Sequence, residues 1–273
     1  MSPFEVKPTG AADPAPTKPK VTVVTVVLNS REFMEATILS VLGQTYENIE
    51  YVVIDGGSTD GTLDIIDRYK SRIDRLVVEK DRGIYDAMNK SAKLVTGDYL
   101  IFMNSGDEFA TEQSVAELNA CARDDETLIY GGWIVRYSWG LERASHPARP
   151  GDFWRGMFVQ HQSIMVKTQY FREHPFDLTL GLGADYAFLL QLINSGAKVS
   201  ECGTIVSRVS AGGASDNNRK GVLMAHWDQA RRYYPGLKTD VHYLKAIARE
   251  RLAAFVKKCL PASVVKGIIS AKA

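Results

Sequence analysis

The stretch VTVVTVVL, Val21–Leu28, is rich in β-branched residues and apolar on both faces. A strand of that kind is buried from both sides, as in the centre of a parallel sheet. Upstream, residues 1–20 hold five of the ten prolines and few large apolar side chains, the composition of a disordered leader. Downstream, a polar turn at Asn29 and Ser30 leads into a helix over 31–43 with Met34, Ile38, Val41 and Leu42 on one stripe. The alternation continues. IEYVVID (49–55) is a second strand, Leu63, Ile66 and Tyr69 give the next helix its inner face, and RLVVE (75–79) is a third strand. Tyr85, Met88, Ala92 and Val95 mark a third helix, and DYLIFM (98–103) a fourth strand. Short connections between such units favour right-handed crossovers and a mainly parallel, twisted α/β sheet flanked by helices. A helix at 112–122 and a strand at 127–130 follow. The pattern loosens over 131–160 and resumes with a strand at QSIMVK, a helix at 184–194, a strand at 198–209 and helices at 221–234 and 240–259.

The 273 residues carry a formal net charge of +1, with 45% hydrophobic and 24% charged residues, a soluble globular composition. No apolar run approaches the ~18 residues of a membrane span, and no secretory signal pattern opens the chain. Cys121, Cys202 and Cys259 stand far apart without a CxxC pair, which argues against a disulfide framework or zinc knuckle and fits a reducing, cytoplasmic setting. The five histidines show no HExxH spacing, so a zinc hydrolase has no support. No GxGxxG follows the first strand, which disfavours a dinucleotide-dependent dehydrogenase. Charge is uneven. Residues 220–273 hold eleven Lys and Arg against three Asp and Glu, whereas the rest hold 22 against 29.

Ligands of an open parallel sheet bind at the carboxyl ends of its strands. There the sequence places Asn29 and Ser30, then Asp55 opening DGGSTDGT, then KDRGIYDAMN, and finally NSGDEF with Asn104 and Asp107. Asp60, ahead of Gly61-Thr62, reads as a helix cap. Asp86 and Asn89 share a helix face.

VVTVVLNS, QTYENIEYVVIDGGSTDGT and VTGDYLIFMNSGDEF resemble glycosyltransferase family 2, strongly over 21–110 and more weakly at HQS (161–163) and GADYAFLLQL (183–192). The resemblance implies a GT-A fold over 21–215, preceded by the leader 1–20 and followed by a basic helical extension 216–273. It implies an inverting transfer of a sugar from a UDP- or GDP-linked donor to a hydroxyl of a glycan acceptor, lipid-linked, in surface polysaccharide synthesis. Carried over residue by residue, Asp55 contacts base and ribose. Val26, Asn29, Asp86, Asn89, Asn104 and Arg208 complete the donor side, His161 and Gln162 line the acceptor side, and Asp185 is the base. A divalent cation, Mn2+ or Mg2+, is implied at the strand-four turn. The family's usual Asp-x-Asp is replaced here by Asn104-Ser105-Gly106 followed by Asp107, leaving an Asn–Asp pair of oxygen ligands. For Asp185 a helix cap is the competing role, as is a plain surface arginine for Arg208.

Over 240–260, Leu244, Ile247, Ala248, Leu252, Phe255, Val256 and Cys259 follow 3-4 spacing with Lys245, Arg249, Lys257 and Lys258 mostly off the stripe. Such a helix either packs on the body or lies at a membrane surface. Two rivals to a transferase are a non-catalytic nucleotide-sugar-binding protein and a nucleic-acid binder using the basic tail. The second lacks any known motif, and no nucleic-acid partner is expected.

Overall fold

The computed structural model describes residues 18–122, 125–148 and 150–260. Most of the expected leader, and the apolar residues 264–269, lie outside the described residues. Within them the alternation read from the sequence is present: β1 (Val21–Val27), α1 (Arg31–Leu42), β2 (Ile49–Asp55), α2 (Thr62–Arg68), β3 (Arg75–Val78), α3 (Ile84–Ser91) and β4 (Tyr99–Phe102). Beyond them come β5 (Glu108–Phe109), α4 (Ser114–Ala120), β6 (Leu128–Arg136), β7 (Glu142–Ser145), β8 (Ile164–Lys167), α5 (Thr168–Glu173), α6 (Ala184–Asn194), β9 (Val199–Ser210), α7 (Ala214–Asn217), α8 (Arg219–Tyr233) and α9 (Leu237–Cys259).

One sheet runs in the order β3-β2-β1-β4-β8-β6-β9-β5, with β7 on β6. Its first half is parallel, with β1 pairing β2 and β4 over the apolar run. The second half is mixed, with β6 pairing β9 in parallel. β8 runs antiparallel to both β4 and β6, and β5 antiparallel to β9. The segment 131–160, which lacks a clean period, holds the continuation of β6 and its hairpin partner β7.

The sheet is packed on both faces. Val24, Val26, Leu100 and Phe102 meet Met88 of α3, Phe171 of α5 and Phe188 of α6 on one side. Val23, Val27, Tyr51 and Ile101 meet Met34 and Ile38 of α1 and Ile66 of α2 on the other. Burying one such aliphatic side chain stabilises the fold by about 1.5–3 kcal/mol. A smaller cluster of Tyr186, Leu190, Ala230 and Tyr243 joins α6 to α8 and α9.

Cys121, ending α4, and Cys202, in β9, form a disulfide across 81 residues. This corrects the reading of three unpaired thiols, because sequence spacing says nothing about which sheet edge a helix covers. Cys259 is free and exposed.

At the end of the sheet remote from the strand carboxyl termini, Gly97 packs against backbone. A Cβ there would lie 2.6 Å from Thr22 Oγ1, 2.7 Å from Thr22 N and 2.8 Å from the Lys20 carbonyl. Thr22 in turn donates to the buried Glu50 at 2.6 Å. Gly97→Ala is therefore expected to cost about 1–3 kcal/mol by overpacking, read as a lower urea midpoint at unchanged m-value. An unshifted midpoint would show that this contact relaxes freely.

Candidate active site

Four loops meet at the carboxyl end of β1, β2 and β4, and each is set by local hydrogen bonding. β2 ends in Asp55, which is fully buried. Its Oδ1 accepts the Gly57 and Ser58 N–H groups at 2.8 and 2.7 Å, while its Oδ2 has no protein partner. The β1–α1 loop is fastened to this turn. Asn29, with φ 49°, donates its N–H to Ser58 Oγ at 2.8 Å and accepts the Thr59 N–H on Oδ1 at 2.9 Å. Asp60 bridges the starts of two helices, accepting from Thr62 N and Oγ1 on one oxygen and from Arg31 N on the other. The Thr62 hydroxyl and the Arg31 N–H hold its carboxyl below the usual range. The cap of α2 is Gly61, so Asp60 sits one residue ahead of the cap expected of it and ties the two helix starts together. A cavity of about 500 Å³ beside it is lined by Asn29, Arg31, Phe33, Asp60 and Ile65, among others.

Gly56 allows a close approach. A Cβ there would meet Asp81 Oδ2 at 2.5 Å and the Leu28 side chain at 3.4 Å. Leu28, Val78 and Ile84 are large apolar residues left exposed at or just beyond these strand ends. Asp81 and this apolar rim are absent from the sequence-derived set.

After β4 the chain turns through Asn104–Asp107, with Gly106 at φ 97° and the Asp107 N–H on the Asn104 carbonyl at 3.0 Å. The Asn104 Nδ2 donates to His161 Nε2 at 2.7 Å. His161 Nε2 is then an acceptor, so the ring proton sits on Nδ1, which faces Asp185 Oδ2 at 3.9 Å. Burial pushes the His161 pKa down to about 4, so the ring is neutral near pH 7. Asp185 lies in the first turn of α6 and is not its cap, which is Gly183. Its Oδ1 accepts the Tyr186 N–H at 2.8 Å, and Tyr85 also bonds to it. Burial pushes its pKa up to about 6, while 17% of the side chain remains accessible.

Asp107 accepts from the Gln162 side-chain amide and, at 3.1 Å, from the Ser210 N–H. Burial raises it to about 6, opposed by those two bonds. Ser105 donates to Ser30 at 2.8 Å. A hydrogen-bonded web thus runs from Asp55 through the Asn29–Ser30 loop and the Asn104–Asp107 turn to His161 and Gln162, and Asp185 faces His161 across 3.9 Å. Three buried oxygens in it lack partners: Asp55 Oδ2, Asn104 Oδ1 and Gln162 Oε1. Buried acceptors are rarely left bare.

Other expected residues are engaged elsewhere. Val26 is buried in the core, and its carbonyl accepts the Ser105 N–H at 3.2 Å. Asp86 is held by the Arg82 guanidinium and N–H. Both ends of the Asn89 amide pair with the Phe176 backbone, at 2.8 and 2.9 Å, tying α3 to the segment before α6. The Arg208 guanidinium donates to the Ala110 carbonyl at 2.8 Å and faces Glu142 at 3.3 Å. Asn89 and Arg208 therefore each hold a loop or strand in place with the groups expected to face the donor.

Among the described residues no three His, Cys, Asp or Glu side chains cluster as a metal site. The Asp107 carboxylate and the bare amide oxygens of Asn104 and Gln162 are hard donors. They fit a Mn2+ or Mg2+ ion that keeps positions for phosphate and water.

Comparison with known proteins agrees with this architecture. The family model described as Glycosyl transferase family 2 matches residues 22–178. Over 194 residues the chain is 30% identical to a PGL/p-HBAD biosynthesis glycosyltransferase of Mycobacterium bovis (strain BCG / Pasteur 1173P2), covering 67% of this chain and 73% of that one. Mannosyltransferase PcManGT from Pyrobaculum calidifontis, solved with GDP-Man and Mn2+, superposes with a TM-score of 0.64 at 20% identity, over 97% of this chain and 83% of its own. Glucosyl-3-phosphoglycerate synthase from Mycobacterium tuberculosis, solved with Mn2+, UDP and phosphoglyceric acid, gives 0.56 at 16% identity, over 78% of each chain. At these identities the structural likeness is one of fold, and the helix-flanked mixed sheet is the GT-A fold. With more than half its length matched by the family model, the chain belongs to glycosyltransferase family 2 and is a glycosyltransferase.

Proposed function

We propose that the protein transfers a sugar, with inversion, from a UDP- or GDP-linked donor to a hydroxyl of a glycan acceptor, with Asp185 as base. The observation that carries this reading is the hydrogen-bonded web just described. It joins three bare buried acceptors to His161, whose Nδ1 faces the partly accessible Asp185 carboxylate at 3.9 Å. Asp55 Oδ2 would accept a donor N–H or hydroxyl, and the exposed Leu28 and Ile84 would border the base. Asp107, with Asn104 and Gln162, would hold a divalent cation, which when bound supplies positive charge against the departing diphosphate. Ionised Asp185 takes the acceptor proton as that oxygen attacks the anomeric carbon, and the bond to phosphate breaks on the opposite side. His161, kept neutral by burial and hydrogen-bonded to Asn104, lies beside the base at 3.9 Å. In this reading the acceptor is a lipid-linked glycan in surface polysaccharide synthesis, and the enzyme works at the inner face of a membrane.

Incubation with UDP- and GDP-sugars and Mn2+, with and without glycan hydroxyl acceptors, tests the proposal. Turnover of one donor class is expected. Donor binding without hydrolysis or transfer would favour the non-catalytic reading, and failure to bind any nucleotide would discard both.

The pH profile adds a check. A base with a pKa near 6 must be ionised to act, so kcat should fall about tenfold per unit below pH 6 and level off above pH 7. A plateau reaching down to pH 4.5 would exclude Asp185 as the titrating base.

A further inference from the structure

Helix α9 has two apolar faces, and the body covers only one. On the inner face Tyr243 is buried and donates to the Trp154 carbonyl at 3.2 Å, and Thr239 is buried beside it. Asp240 is clamped by Trp227 Nε1–H and the Arg231 guanidinium. On the opposite face Leu237, Val241, Leu244, Leu252 and Phe255 recur at intervals of 4, 3, 8 and 3 residues, which keeps them on one stripe of an α-helix. They are 36–78% exposed, a run of large apolar side chains on one long helix that ordinary surface scatter does not produce.

The flanks of this stripe are cationic. Lys245 and Arg249 border one side and Arg251 the other, all exposed. The acids of α9 are turned away from it, Asp240 to Arg231 and Glu250 to Arg219. The sequence beyond the described residues, 261–273, adds Lys266, Lys272 and further valines and isoleucines, without an acid. We propose that α9 docks the protein on an anionic bilayer, with Leu244, Leu252 and Phe255 in the headgroup–acyl boundary and Lys245, Arg249 and Arg251 among lipid phosphates. A second copy of the chain is the poorer occupant, because a two-fold pairing of this face would set its cationic flanks against each other.

The inference stands apart from the transfer reaction, and its readout is lipid binding. The purified full-length protein is sedimented with vesicles of phosphatidylcholine alone or mixed equally with phosphatidylglycerol. Sedimentation only with the anionic vesicles is expected, weakening as salt rises. The double variant Lys245→Glu/Arg249→Glu should lose affinity by about 25-fold or more, at roughly fivefold for each cation near the surface. Leu252→Glu/Phe255→Glu should lose more than tenfold while keeping the wild-type circular dichroism and melting curve, since neither side chain is buried. Wild-type protein remaining in the supernatant with both vesicles would overturn the proposal. So would variants that bind as well as wild type, or a wild-type dimer that Phe255→Glu converts to monomer.

Discussion

Asp185→Asn is expected to lower kcat by about 10²–10⁴-fold, the usual contribution of a positioned proton acceptor, and to leave the donor Kd within about twofold. The amide can still accept the Tyr186 N–H that Asp185 Oδ1 takes at 2.8 Å, so the first turn of α6 keeps its geometry. The same variant should also be the more stable protein. The folded carboxyl has a pKa near 6 because burial disfavours its charge, whereas an unfolded aspartate titrates near 3.9. Between those values the folded state binds more protons than the unfolded one, so stability falls as pH rises through roughly 4 to 6. Above that window the ionised side chain destabilises the fold by about 2–3 kcal/mol. The neutral amide escapes this penalty. Parallel kinetics and urea melts at pH 7.5 check both halves. Retention of more than a tenth of wild-type kcat would move the base elsewhere.

Asp55→Asn is expected to weaken UDP or GDP binding by about 10–100-fold, with a smaller effect on kcat at saturating donor. Asp55 Oδ1 already serves the Gly57 and Ser58 N–H groups, so only Oδ2 is left for a ligand. In the variant Oδ1 keeps the turn and an NH₂ replaces Oδ2, setting a donor against a donor. Losing a hydrogen bond to a charged acceptor accounts for about 1.5–3 kcal/mol, which corresponds to that range of affinity. Calorimetric titration with both nucleotides reads it directly. An unchanged Kd would mean that Oδ2 meets no nucleotide atom.

The first half of the sheet was legible because β1, β2 and β4 are apolar on both faces, and only a central parallel position satisfies that. In the second half the strands at 127–130, QSIMVK and 198–209 were legible and are β6, β8 and β9, but their directions were not. β8 is four residues long and its direction depends on β4 and β6, which are remote in sequence. The rim residues Asp55, Asn104 and Asp107 were legible as polar groups where apolar patterns stop, and Asp185 only through the family resemblance. What each side chain bonds was hidden, because it depends on loops that meet only in three dimensions. The bonds of Asn89 to Phe176 and of Arg208 to Ala110 were hidden in this way. Asp81 went unmarked because nothing in KDRG reveals that Gly56 lies against it. Cys121 and Cys202 went unpaired for the same reason.

The stitching of the β1–α1 loop to the β2–α2 loop through Asn29, Ser58, Thr59 and Asp60 has a thermodynamic consequence. A pocket wall already frozen in place loses little configurational freedom when a nucleotide arrives, so little binding enthalpy is consumed in ordering it. Under the proposed function, selectivity between uracil and guanine would then depend on the static shape and polarity that Leu28, Asp55 and Asp81 present. Exchanging those side chains should reprogramme the base preference, whereas altering the lengths of the stitched loops should only degrade it.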